Sequence, residues 1–174
     1  MSNSKLIIIC GLPGSGKSTI SEALSRKLEI PVFSVDPIES SIIKSGIPKS
    51  FETGLAAYLV AETLAAANLQ AGNSAIIDAV SGVIEAKQMW QALAKKLGVP
   101  LIIIECIVSN KNLHKTRIEE RVRGIHGIPE VTWDDVDKRE KEYIVWEEEK
   151  LILDAVNPLA ENIKQVLQYI ASRS

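Results

Sequence analysis

The chain has only two cysteines in 174 residues, and no Cys/His cluster shows zinc-ligand spacing. Cys10 and Cys106 both sit in apolar, strand-like runs, so they read as buried free thiols rather than as a disulfide. A basic excess is missing too: 20 Lys+Arg against 22 Asp+Glu leave a net charge of −2 and a pI near 5.8. Binders of long nucleic acid usually carry a basic surplus or stripe, so the charge counts against nucleic acid as the partner. No apolar run is long enough to span a membrane. The polar start Met1-Ser2-Asn3-Ser4-Lys5 leads into a run too short for a secretory leader. The expected location is the cytoplasm, with no membrane partner. The chain also lacks low-complexity tracts, internal repeats and any linker long enough to divide it. What remains is an ordinary globular composition, 46% hydrophobic and 24% charged, at a length suited to one domain over 1–174.

One segment is far from ordinary. Gly11-Leu12-Pro13-Gly14-Ser15-Gly16-Lys17-Ser18 fits the pattern G-x-x-x-x-G-K-[ST] without a mismatch. An apolar run, Leu6-Ile7-Ile8-Ile9-Cys10, precedes it, and Ile20, Leu24 and Leu28 follow at helical spacing. Strand, glycine-rich turn and helix are the context in which this pattern binds phosphate. Polyphosphate needs many donors at once. Glycines let the backbone curl so that successive N–H groups point inward, and the following helix contributes its positive end. Lys17 is placed for the β- and γ-phosphates, and the Ser18 hydroxyl for Mg²⁺. A plain glycine turn without a ligand is the competing reading.

The rest of the chain alternates. Strands are expected over 5–10, 32–34, 74–78, 101–108 and 151–153. Helices are expected over 19–28, 38–44, 51–70, 84–97, 112–122, from Thr132 to about 143, and over 159–172. Alternation of this kind predicts an α/β fold with a parallel sheet, helices on both faces and right-handed crossovers. Ligands of such sheets bind beyond the carboxyl ends of the strands, which makes the strand ends candidate sites.

Asp36 follows the second strand and Asp78 ends the third. One carboxylate can orient a hydroxyl and accept its proton, and the other can stand near Mg²⁺. The same residues also read as a helix cap or turn former before Pro37, and as a structural partner of the loop. Glu105 interrupts the apolar fourth strand. Its mid-strand place favours a structural ion pair. Arg117, Arg121 and Arg123 are expected on one helix leading into the glycine-containing run 124–129. A helix followed by a mobile segment suits a lid, here about 117–131, that brings arginine to a phosphate. A solvated helix pairing these arginines with Glu119 and Glu120 accounts for them equally well. His114 and His126 receive no role.

With these residues in hand, the chain resembles a small P-loop kinase of the adenylate-kinase-like group. It is most similar to the ATPase/kinase family that includes the kinase domain of polynucleotide kinase, chloramphenicol phosphotransferase and zeta-type toxins. The resemblance rests on the loop at 11–19, Asp36, Ile76-Ile77-Asp78, the run from Arg117 to Arg123, and the tail around Asn157-Pro158. It implies a three-layer P-loop fold with a five-stranded sheet in the order 2-3-1-4-5 and a small helical lid. It implies ATP and Mg²⁺ as donor and cofactor, with Gly11, Pro13, Gly14, Ser15, Gly16, Lys17, Ser18 and Thr19 around the phosphates. Arg121 would contact the phosphates or the adenine, and Asn157 and Pro158 would lie near the adenine. Asp36 would be the general base, Lys17 and Arg121 would act with it, and Ser18 and Asp78 would serve the metal. Polynucleotide kinases carry an arginine two or three residues after the Asp; here the run is Asp36-Pro37-Ile38-Glu39. That departure favours a small-molecule alcohol as acceptor. A regulatory ATPase that uses water, and a 5′-hydroxyl polynucleotide kinase, are the alternatives.

Overall fold

The computed structural model describes residues 4–173; the polar start at 1–3 lies outside them. Five strands form one parallel sheet: β1 (Leu6–Cys10), β2 (Val32–Ser34), β3 (Ala75–Asp78), β4 (Leu101–Ile107) and β5 (Leu151–Asp154). Their spatial order is β2-β3-β1-β4-β5. Seven helices connect them among the described residues: α1 (Lys17–Leu28), α2 (Val35–Lys44), α3 (Phe51–Gln70), α4 (Ile84–Leu97), α5 (Lys111–Glu120), α6 (Trp133–Glu142) and α7 (Leu159–Ser172).

The central strand explains its own composition. β1 pairs with β3 on one side and with β4 on the other, so all five of its residues are buried. A strand covered on both faces needs apolar side chains at every position, not at alternate ones. Its two faces feed two cores. Leu6, Ile8 and Cys10 point with Ile77 and Ile103 toward Ala57, Ala61 and Ala65 of α3 and Trp90 and Leu93 of α4. Ile7 and Ile9 point with Ile76, Ile102 and Ile104 toward Ile20 and Leu24 of α1 and Val166 of α7. Burying each such Ile or Leu contributes about 1.5–3 kcal/mol, which makes this strand a rigid base for whatever follows it.

Two boundaries differ from expectation. α2 begins at Val35, directly after β2, so Asp36 lies in its first turn rather than in a connecting loop. A carboxylate there faces the positive helix end, which explains why the helix can start early. α5 ends at Glu120, and Arg121 is already extended, with φ −79° and ψ 126°. Arg117 and Arg121 therefore do not share a helix face. Segment 121–132 runs free of helix and folds back on itself, because the Glu130 carboxylate accepts the backbone N–H groups of Arg123 and Gly124 at 2.8 and 3.0 Å. Among the described residues no helix is long and apolar enough to cross a membrane.

Glu105 proves to be structural. Its carboxylate pairs with the Lys150 ammonium at 2.8 Å, and the two side chains are only 10% and 12% exposed. The stretch before β5 is tied down a second time, where the Lys87 ammonium donates to the Ile144 carbonyl and lies over the rings of Tyr143 and Trp146. Removing one member of a buried ion pair strands the other charge. Lys150→Met should therefore lose about 3 kcal/mol or more in urea unfolding, and adding Glu105→Gln to it should recover a large part. A Lys150→Met variant as stable as the parent would contradict the pair's structural role.

Candidate functional site

The turn after β1 is shaped by backbone that only glycine tolerates. Gly11 has φ 136°, and a Cβ there would run into the carbonyl oxygen of Cys106 on β4. Gly14 (φ 78°) and Gly16 (φ 87°) are left-handed as well, and Gly16 caps α1 without a side chain. The loop thus bends tightly over the sheet edge and delivers the first N–H groups of α1 to one point, an anion cradle in form. The buried Ser15 hydroxyl in this loop has no partner within the protein. A buried unpaired donor is costly, and a phosphate oxygen is the kind of partner that would satisfy it.

Lys17 is half-buried, and its ammonium donates to the Leu12 carbonyl of the loop at 3.2 Å. Burial pushes its pKa down, and the carboxylates of Asp78 and Asp36 work against that shift. The same desolvation holds the Cys106 thiol up at about 12 and that of Cys10 at about 11, so both free cysteines are inert.

Two cavities open from this point. One of about 430 Å³ is lined by Gly14 to Ile20 of the loop and α1, by Arg117 and Arg121, and by Ala155, Asn157 and Asn162. The other, about 740 Å³, lies over β2 and β3 and reaches Ser34, Asp36, Glu39, Tyr58, Asp78, Arg121, Arg123 and Arg139. Lys17, Ser18 and Arg121 line both, so they stand where the cavities meet.

The expected site residues fall into place unevenly. Ser15, Gly16, Ser18, Thr19 and Asn157 line the smaller cavity, whereas Pro13 faces the larger one. Pro158 caps α7 and is not among the lining residues of either. Gly11 lies beneath the loop and acts through backbone approach alone. Asp78 is buried at the end of β3, where it accepts the Ser34 hydroxyl at 3.2 Å. Asp36 is ion-paired to Arg123 at 2.5 Å and remains 42% exposed. An arginine thus reaches Asp36 through space, from segment 121–132. That segment is further docked on α2, where the Ser40 hydroxyl donates to the His126 carbonyl at 2.8 Å and Gly127 packs on Ile43. Burial, and then the neighbouring Arg123, push the Arg121 pKa down. Arg117, for which a lid role and pairing with Glu119 and Glu120 stood open, donates to the Ala155 carbonyl at 2.9 Å and joins α5 to the turn after β5.

Sequence reasoning passed over His114. It is buried on α5, its Nε2 lies 2.7 Å from the Pro13 carbonyl, and its ring meets Trp133 edge-on at 5.3 Å. A carbonyl can only accept, so Nε2 carries the proton and donates. His114 thereby ties the loop to α5 and to the start of α6. A histidine with no partner in its own segment carries no signal of this kind; only the packing of α5 over the loop creates it.

The sheet order and the loop together define the P-loop kinase fold. The family model described as "AAA domain" matches residues 6–142, and the chain belongs to that family. A shikimate kinase of Clostridium beijerinckii is 33% identical over 82 residues, covering 47% of this chain and 48% of the relative. The chain spans about half the length of the curated relatives it matches. Among solved structures, a protein of Chloroflexus aurantiacus covers 100% of both chains at 23% identity with a TM-score of 0.78. The Mycobacterium tuberculosis APS kinase CysC, in complex with AMPPNP and APS, covers 98% of this chain and 99% of its own, at 18% identity and a TM-score of 0.73. At these identities the structures share the fold.

The tie at the loop can be tested without substrate. His114→Leu leaves the Pro13 carbonyl unpaired and should cost about 1–3 kcal/mol in thermal or urea unfolding. His114→Gln, which keeps a donor, should lose less.

Proposed function

We propose that the protein is an ATP-dependent phosphotransferase that moves the γ-phosphate to a hydroxyl of a small molecule, with the chain working as one unit over 1–174 and a lid over about 117–131. The observation that carries this reading is the meeting of two cavities at Lys17, Ser18 and Arg121. A water-using ATPase needs only the first cavity; a second of about 740 Å³, floored by two carboxylates, is room for an acceptor.

In this reading the loop, Gly11 to Thr19, holds the triphosphate through its backbone N–H groups, and the Ser15 hydroxyl finds its partner there. Asn157, and Pro158 behind it, border the adenine end. The donor set also suits Mg²⁺: Ser18 where the cavities meet and the buried Asp78 in the larger one would offer hard oxygen ligands, and the phosphates would supply others. When bound, that ion would offset charge on the phosphate oxygens. The acceptor's oxygen forms a bond to the γ-phosphorus as the bond to the leaving β-phosphate oxygen breaks. The hydroxyl proton passes to Asp36, and ADP departs. Lys17 and Arg121 offset the charge that develops on the transferring group. Arg123 holds the Asp36 carboxylate in orientation, and the docking of segment 121–132 on α2 keeps water from the acceptor. The larger cavity carries both signs of charge, with Arg121, Arg123 and Arg139 facing Asp36, Glu39 and Glu130. Glu39 is partly engaged already, since it accepts the Thr53 hydroxyl at 2.9 Å.

Incubation with γ-labelled ATP and panels of small hydroxy acids, sugars and other alcohols should produce a labelled acceptor. Lys17→Ala and Asp36→Asn should each lower the rate about 10²-fold or more. ATP turnover that no alcohol accelerates would overturn the proposal in favour of a regulatory ATPase, and labelling of a 5′-hydroxyl oligonucleotide would favour a polynucleotide kinase.

A further inference from the structure

Asn162 occupies a core position of α7. It and Val166 are the buried residues of that helix, and Asn162 is only 3% exposed. Ile163, Leu167 and Ile170 pack beside them against the sheet, so an apolar residue would suit this place by default. A buried amide has to be matched at both of its ends. One end is matched: Nδ2 donates to the Asp154 carbonyl at 2.9 Å, and because a carbonyl only accepts, this bond fixes which way the amide points. The other end, Oδ1, is buried and has no donor among the described residues. Asn162 also lines the smaller cavity, together with the phosphate loop. Among the described residues four buried side-chain polar atoms lack a partner, and two of them, on Ser15 and Asn162, belong to residues of this one wall. Asn157, the other amide of the wall, is exposed and can be served by water, so it carries no such demand.

We infer that Asn162 is a specificity-determining residue for the donor nucleotide, and that its Oδ1 accepts a hydrogen from the nucleoside part of ATP. The inference rests on the reading of the smaller cavity as the ATP site. Chemistry narrows the partner. An amide oxygen accepts and cannot donate. The phosphate oxygens held by the cradle are acceptors too, so they cannot satisfy it. The groups of ATP with a hydrogen to give are the ribose hydroxyls and the exocyclic amine of adenine, and both belong to the nucleoside. The Ser15 hydroxyl is the complementary case, since a donor without a partner suits a phosphate oxygen. The wall around Asn162 is also firmly held. The Asp154 carboxylate accepts the N–H groups of Ser109 and Val156, each at 3.1 Å, and the Asp154 carbonyl accepts that of Asn157 at 3.1 Å. Arg117 fixes the Ala155 carbonyl next to it. An acceptor fixed in this way cannot swing out to solvent, so a ligand that brings a donor gains an interaction without having to order the residue first.

The test is calorimetric titration of the whole chain, in the presence of Mg²⁺, with ATP and three analogues: purine riboside triphosphate, which lacks the amine, 2′-deoxy-ATP and 3′-deoxy-ATP. One analogue should bind the parent about tenfold or more weaker than ATP, and its identity tells the amine from the ribose. Asn162→Leu should weaken ATP and bring that analogue level with it, because the partner of the missing hydrogen is gone. A residue that only props the turn at Asp154 would lower all four affinities together and leave the gap in place. Asn162→Ala, which overpacks nothing, gives the same comparison if the leucine variant does not fold. Four nucleotides that bind the parent alike, or a gap that persists in the variant, would overturn the inference and leave the phosphotransfer reading standing. A parent that binds no ATP would overturn both.

Discussion

The close approach of Gly11 to the Cys106 carbonyl is the constraint on which the site depends. It lets the chain leave the buried central strand at its very end and turn over the neighbouring strand without a side chain in the way. Everything functional is then measured from a rigid point. β1 is held by two parallel ladders and two apolar cores, so it cannot drift. The loop inherits that rigidity, and the positive start of α1 is aimed by it. A cradle of backbone donors works only if it is preorganised, since donors that must be gathered at the moment of binding cost entropy.

Around this fixed point the polar groups come from distant parts of the chain. His114 and Arg117 reach the loop and the turn after β5 from α5, and Arg121 and Arg123 reach it from the extended segment beyond. The end of α5 at Glu120 is what makes this possible. On a continued helix, Arg121 and Arg123 would point about 200° apart, whereas in extended backbone both reach inward from a strand-like run. The pairing of Arg123 with Asp36 then joins the segment to α2, so one ion pair connects the wall of the larger cavity with segment 121–132. Desolvation acts on the same spot, pressing the pKa of Lys17 and Arg121 down in a place where bound phosphate would favour their charged forms.

Much of this could be read from residues alone, and the reasons are local. The apolar runs of β1, β3 and β4 marked these inner strands because a strand covered on both faces must be largely apolar. The helix over 51–70 was bounded by the loop at Ser50 and by Gly72, and the one over 159–172 showed in its own periodicity. Glu105 was legible as structural because a mid-strand carboxylate cannot sit at a strand's end. Whether Asp36 starts a helix or only forms a turn is open in the sequence, since Pro37 punctuates a turn as readily as a first helical turn. The true end of α5 was hidden as well. Arg121-Val122-Arg123 offer no clear stop before Gly124, and Glu130 and Asp36 hold Arg123 in the non-helical segment.

Residues alone were enough for the glycine-rich loop and the alternation that builds the sheet, because both depend on contacts within a few residues: glycine dihedrals, capping, and side-chain period. Tertiary structure alone decided which charges meet. Asp36 and Arg123 lie 87 residues apart, and His114 and Pro13 101 apart, and no local pattern encodes those pairs. They exist because a parallel sheet returns every strand end to the same edge, where groups remote in the chain become neighbours.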